Sequence, residues 1–147
     1  MEYLHLHLDC LLLDCTYKTN KFSIPLLYVV GIDSLSYTFT VALFLLDQET
    51  EGDYIWAVNI LKGLFPKGVF PSVIATDSEV ALINALRLSF PAIRTKLVLC
   101  YWHISKNVLA NCKRYFETEE LWEAFFSGFK ACVFSKTEEE FEDTVTE

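Results

Sequence analysis

The chain has 147 residues, enough for one domain around one core, and 52% of them are hydrophobic. No stretch stays apolar over the ~20 residues a membrane-spanning helix needs, no basic-then-apolar leader follows Met1, and five irregularly spaced cysteines point to free thiols rather than a disulfide framework. The formal net charge is −8, but residues 117–147 hold ten acids and two bases while the remainder balances ten against ten, so an acidic tail follows a neutral body that is open to a local basic strip.

Tyr3 to Asp14 is leucine-rich and reads as a strand. Ile24 to Asp33 and Tyr37 to Leu46 are two more, and the short link Ser34-Leu35-Ser36 suits a hairpin. The period then changes. Ile55, Trp56, Val58, Ile60, Leu61, Leu64 and Phe65 have helical spacing over Asp53 to Phe65, which Pro66 and Gly68 stop. Val69 to Thr76 reads as a buried strand, Ser78 to Leu88 as a helix and Thr95 to Cys100 as a fifth strand. Helical patterns follow over Trp102 to Phe116 and Glu119 to Phe134, and Thr137 to Glu147 reads as the start of another. The order β-β-β-α-β-α-β followed by helices describes an α/β domain with a mixed sheet, in the order of ribonuclease-H-like folds. We expect an incomplete core over 1–116 and an acidic helical segment over 117–147 that begins an insertion. The last residues, "EEEFEDTVTE", carry no helix stop, and the chain is expected to be a fragment of a longer protein.

Two apolar runs end on aspartate: "LLLD" at Asp14 and "VIATD" at Asp77. If the first and fourth strands are neighbours, both carboxylates project from adjacent strand ends. Magnesium or manganese prefers oxygen ligands, often one or two carboxylates plus substrate phosphates. Two such ions about 3.5–4 Å apart activate a nucleophile and stabilise a leaving oxygen. The plainer readings are local: Asp77 as a helix N-cap, Thr76 with Glu79 as a capping box, Asp14 as a turn residue before Thr16. Glu49, which follows the third strand, can approach the same site or simply precede a helix.

"LCYWHISKN" sets Cys100 and His103 three apart, one half of a zinc site that normally takes four ligands. No second pair follows at that spacing, so the two are read either as zinc ligands completed from elsewhere or as a buried thiol and a helix-start histidine. His103, Lys106 and Lys113 share one face of the expected helix, and Lys18 and Lys21 frame "TYKTNK" after Asp14. Such cations are candidates for DNA phosphate contacts, which position a duplex without reading its sequence, or are solvated surface residues. His5 and His7 alternate with leucines and read as the polar face of a strand.

"LLLDCTYKTNKFSIPLLYVVGID", "TFTVALFLLDQETEGDYIWAVNILK", "PSVIATDSEVALINALRLSFP" and "LCYWHISKNV" together resemble the MULE transposase domain of Mutator-like elements, from about Leu11 to about Phe116. The ordered set carries the resemblance: D-x-T-Y-K-T-N, E-x-x-x-x-Y-x-W, T-D-x-E-x-A-L and C-x-W-H. It implies a ribonuclease-H-like core with a DDE triad for cut-and-paste DNA transposition, binding two Mg²⁺ or Mn²⁺ ions. The family's first and second aspartates match Asp14 and Asp77, and its C-x-x-H matches Cys100 and His103. Its third carboxylate, a glutamate beyond a helical insertion, matches no residue here, so the fragment is expected to be inactive alone. The implied partner is double-stranded DNA, element ends and target, with a homo-oligomer compatible and no membrane; the implied place is the nucleus in a eukaryote and otherwise the cell interior. Two rivals remain open: a domesticated DNA-binding transcription regulator without catalysis, and a nuclease of the same fold without strand transfer.

Overall fold

The structure, a computed structural model, describes residues 9–16 and 21–146. Strands β1 (Cys10–Thr16), β2 (Leu26–Ile32) and β3 (Thr38–Leu45) are followed by helix α1 (Glu51–Gly63), β4 (Val73–Thr76), α2 (Val80–Ser89) and β5 (Lys96–Leu99). Helices α3 (Tyr101–Cys112), α4 (Glu119–Phe134) and α5 (Glu138–Thr146) complete the described chain. It is an α/β fold with one five-stranded mixed sheet in the order β3-β2-β1-β4-β5. β1 pairs antiparallel with β2 and parallel with β4, and β5 runs parallel to β4. The expected order and the expected β1–β4 neighbourhood are both observed. The part of the first strand expected before Asp9 lies outside the described residues, as do His5 and His7.

The sheet follows from a period of two. Leu11 and Leu13 of β1, and Leu27 and Val29 of β2, are fully buried on one face. Tyr54, Ala57, Val58 and Leu61 of α1 and Leu82, Ala85 and Leu86 of α2 close over them to make the core. Burying one such leucine contributes about 1.5–3 kcal/mol, so this cluster dominates the stability of the unit. The alternate residues of β1, Leu12 and Asp14, face the other side and are only partly buried.

Capping chemistry sets the helix starts. Thr50 caps α1 by accepting the Asp53 N–H at 3.3 Å, which starts the helix two residues before the expected Asp53. Asp33 holds the β2–β3 hairpin: its Oδ1 accepts the N–H groups of Leu35 at 2.9 Å and Tyr37 at 2.8 Å. Ser36 takes a φ of 65° in that turn. β4 begins at Val73 rather than Val69, because the chain first turns through Gly68 with φ 82° and Pro71.

The chain divides into two compact units, one ending at Ile104 and the other beginning at Ser105. In the second unit Trp122 is 5% exposed and stacks on Phe126 at 5.2 Å, while Phe116 and Phe125 close the other side. Thr118 caps α4 through the Leu121 N–H, and the helix spans the expected residues. The helix expected to run from Trp102 to Phe116 instead ends at Cys112 and tightens into a 3₁₀ turn over Lys113–Tyr115.

Gly31 lies opposite Phe39 in the β2–β3 ladder, and a Cβ there would collide with the Phe39 ring. Gly31→Ala is expected to destabilise the protein by about 1–3 kcal/mol in urea denaturation, because the ring must leave its place.

Candidate metal and phosphate site

The site is built by register. The last pair of the β1–β4 ladder sets Leu13 opposite Thr76, so Asp14 and Asp77 are the next residue on each of two adjacent parallel strands. Asp14 remains inside β1, opposite Tyr28 of β2, and is therefore not a turn residue. One of its oxygens, Oδ1, lies 3.4 Å from His103 Nε2, with both side chains about one-third exposed. The Nδ1 of His103 is buried and has no hydrogen-bond partner.

Asp77 occupies the turn between β4 and α2. Its Oδ1 accepts the Glu79 N–H at 3.2 Å and the Thr76 hydroxyl at 3.5 Å. Its Oδ2 accepts no hydrogen bond from the described residues. The N-cap of α2 is Glu79, whose carboxylate accepts the Ala81 N–H at 3.2 Å. The alternative roles of Asp77 as N-cap and of Thr76–Glu79 as a capping box are thus not what is built. Thr76 is instead buried at the end of β4.

A contact that local spacing does not show joins the loop after β3 to β1: the Cys15 thiol donates to Glu49 Oε1 at 3.4 Å. Cys15 is on the face of β1 opposite Asp14, beside the fully buried Tyr54. The Tyr54 hydroxyl lies next to this thiol without a hydrogen bond of good geometry. Burial pushes the Cys15 thiol up to about 11, and the Glu49 carboxylate adds to the effect. Burial also raises Tyr54, with the neighbouring thiol contributing.

Cys100 sits between β5 and α3. Its N–H donates to Thr76 O at 2.7 Å and its carbonyl accepts the Ile104 N–H, so it connects the strand end to the helix start. All five cysteines are free thiols. Among the described residues no three His, Cys, Asp or Glu side chains gather as a metal cage, which leaves Cys100 and His103 without further zinc ligands there. Two carboxylates with open positions suit a magnesium-type ion completed by water and phosphate, and do not suit a closed zinc site.

Of the candidate phosphate contacts, Lys18 lies outside the described residues. Lys21 is exposed, its ammonium 4.8 Å from the centre of the Phe22 ring. Lys106 and Lys113 belong to the second unit. Lys113 is in the 3₁₀ turn rather than the helix, which removes it from the helical face expected for it, and it pairs with Glu119 at 2.6 Å.

Residues 10–107 match the MULE transposase domain, two-thirds of the chain. The chain belongs to the MULE transposase domain family. The MULE match takes in Asp14, Asp77, Cys100 and His103 together. Among curated proteins, the chain is 26% identical over 144 residues to Protein FAR1-RELATED SEQUENCE 5 of Arabidopsis thaliana, covering 97% of this chain and 17% of that protein. It is 27% identical over 139 residues to Protein FAR1-RELATED SEQUENCE 4 of the same plant, 91% of this chain and 18% of that protein. It is also 33% identical over 119 residues, 80% of this chain, to a segment making up 2% of the PKS-NRPS hybrid synthetase cheA of Chaetomium globosum. The MULE chain thus spans less than a fifth of each of these relatives.

The raised Cys15 gives a pH prediction. The folded state holds the thiol proton more tightly than the unfolded chain, so this stabilisation is complete below about pH 9 and is lost as pH rises towards about 11. In metal-free buffer at about pH 8, iodoacetamide is expected to alkylate Cys15 far more slowly in the folded than in the unfolded protein. Glu49→Gln is expected to accelerate it, as read by peptide mass spectrometry.

Proposed function

We propose that this chain is the core part of a metal-dependent DNA transposase. The supporting observation is the placement of Asp14 and Asp77 one residue beyond a shared parallel ladder, inside a stretch that matches the MULE domain. The sheet order, three antiparallel strands and then two parallel ones, supports a ribonuclease-H-like reading of the fold.

In this reading Asp14 and Asp77 hold Mg²⁺ or Mn²⁺ through their open oxygens. When bound, the cation supplies charge to activate water or a 3′-hydroxyl and to stabilise the leaving oxygen. The protein's part is rigidity. Asp14 is fixed by its pairing with Tyr28 of β2, one residue past the end of the β4 ladder, and Asp77 is oriented by the Glu79 N–H. Asp14 and Asp77 would hold the cation, whose charge would let an anionic phosphodiester approach; the chemistry proposed there is hydrolysis at the element end followed by joining of the freed 3′-hydroxyl to target DNA. The proposed partner is therefore double-stranded DNA, and the proposed place of action is the nucleus of a eukaryotic host. Pairing of His103 with Asp14 holds that carboxylate in position until DNA and cation arrive.

Isothermal titration with Mn²⁺ tests the site. Asp14→Asn and Asp77→Asn are each expected to weaken binding by about tenfold or more, because each removes one charged ligand. Glu142→Gln in the acidic tail is expected to leave that binding unchanged. Equal titration curves for all four proteins would contradict the assignment.

A further inference from the structure

β5 is an edge of the sheet, and among the described residues no strand pairs with its outer side. Lys96 N–H donates to Ser72 O at 2.9 Å and Cys100 N–H to Thr76 O at 2.7 Å, both towards β4. A strand turns its peptide groups to alternate sides, so Leu97 and Leu99 direct their N–H and C=O groups away from β4. Among the described residues nothing receives them.

A groove follows the same edge. One cavity of about 580 Å³ is lined by Arg87, Phe90, Thr95, Lys96, Leu97 and Val98. A second, of about 180 Å³, continues past Leu97 and Val98 to Leu99, with Ile83 and Arg87 on its wall. The lining is apolar except for Arg87, Thr95, Lys96 and, in the smaller cavity, Thr76. Arg87 and Lys96 are exposed cations that form no ion pair with a described residue. Thr95 is 3% exposed and lines the larger cavity, and its hydroxyl is buried with no hydrogen-bond partner among the described residues. A buried hydroxyl left unpaired is unfavourable.

Edge strands are commonly protected by being short and by carrying lysine. β5 has both features, yet Val98 and Leu99 remain more than 40% exposed beside the groove. Lys96 opposes pairing with another basic edge, including a second copy of β5, and favours an acidic strand. Backbone groups spaced for a ladder, apolar pockets along them and unpaired cations together meet the requirements of strand addition.

We propose that the β5 edge and its groove receive an extended segment of a partner protein, carrying apolar and acidic residues. Leu97 and Leu99 supply the ladder bonds, Phe90 and Leu97 accept an apolar side chain, and Arg87 with Lys96 select a carboxylate. The proposal does not rest on the transposase reading, although Thr76, which lines the smaller cavity, also donates its hydroxyl to Asp77.

The test is amide hydrogen exchange of the full chain titrated with an acetylated hexapeptide of alternating valine and glutamate. Protection at Leu97 and Leu99 is expected to rise about tenfold or more at saturation, while Leu13 and Val29 stay unchanged. The same peptide N-methylated at every amide, and one of alternating valine and lysine, are expected to give no protection. The Arg87→Glu/Lys96→Glu double variant is expected to lose the effect with its core exchange unaltered, which shows that it is folded. Three results would each overturn the proposal. One is no protection at millimolar peptide. A second is equal protection by the methylated or lysine peptide. The third is protection that appears without peptide and grows with protein concentration, which would assign the edge to a second copy of this chain.

Discussion

Strand β1 is the constraint on which everything else depends. It is the central strand of five, bonded antiparallel to β2 on one side and parallel to β4 on the other. Its odd-numbered leucines, Leu11 and Leu13, are fully buried under α1 and α2. A slip of one residue would turn both leucines out of the core and Asp14 into it. Hydrophobic burial therefore fixes the register, and the register fixes where the carboxylate stands.

The second carboxylate inherits its position from the first. Because β4 runs parallel to β1, both strands reach the same end of the sheet at Leu13 and Thr76. Ligands in open α/β sheets bind outside the carboxyl ends of the strands, where chain direction and loop freedom coincide. Asp77 stands in such a turn and His103 comes from the first turn of α3, whereas Glu49, in the loop after β3, bonds Cys15 on the other face of β1. The two faces of β1 divide the labour. Asp14 and His103 lie on the face away from the α1–α2 core, while Cys15 and Tyr54 close the other. A thiol kept protonated by burial suits a packing role and not a nucleophilic one.

Much of this was legible because the signals are local. The change from period two to period 3.6 after β3 marks α1, and a threonine cap followed by acids marks α4 over Glu119–Phe134. Asp14 and Asp77 stand out as acids at the ends of apolar runs. What escaped the sequence is non-local or depends on backbone detail. The Asp14–His103 and Cys15–Glu49 contacts join residues far apart in the chain, and no spacing rule reaches across them. Glu79 rather than Asp77 caps α2 because the β4 ladder holds Thr76 buried and leaves Asp77 to bond the Glu79 N–H instead. Lys113 leaves the expected helical face because α3 tightens into a 3₁₀ turn after Cys112. Conversely, the edge character of β5 follows from strand order, which a list of strands does not contain.

The central proposal is that Asp14 and Asp77 share one cation-binding end of the sheet. Ferrous iron with ascorbate and peroxide tests this most directly, because an ion bound in a magnesium-type oxygen site cuts the backbone beside its ligands. We predict cleavage next to both Asp14 and Asp77, suppressed at both places by excess Mg²⁺. Cleavage beside only one of them, or confined to the acidic residues 117–147, would contradict it.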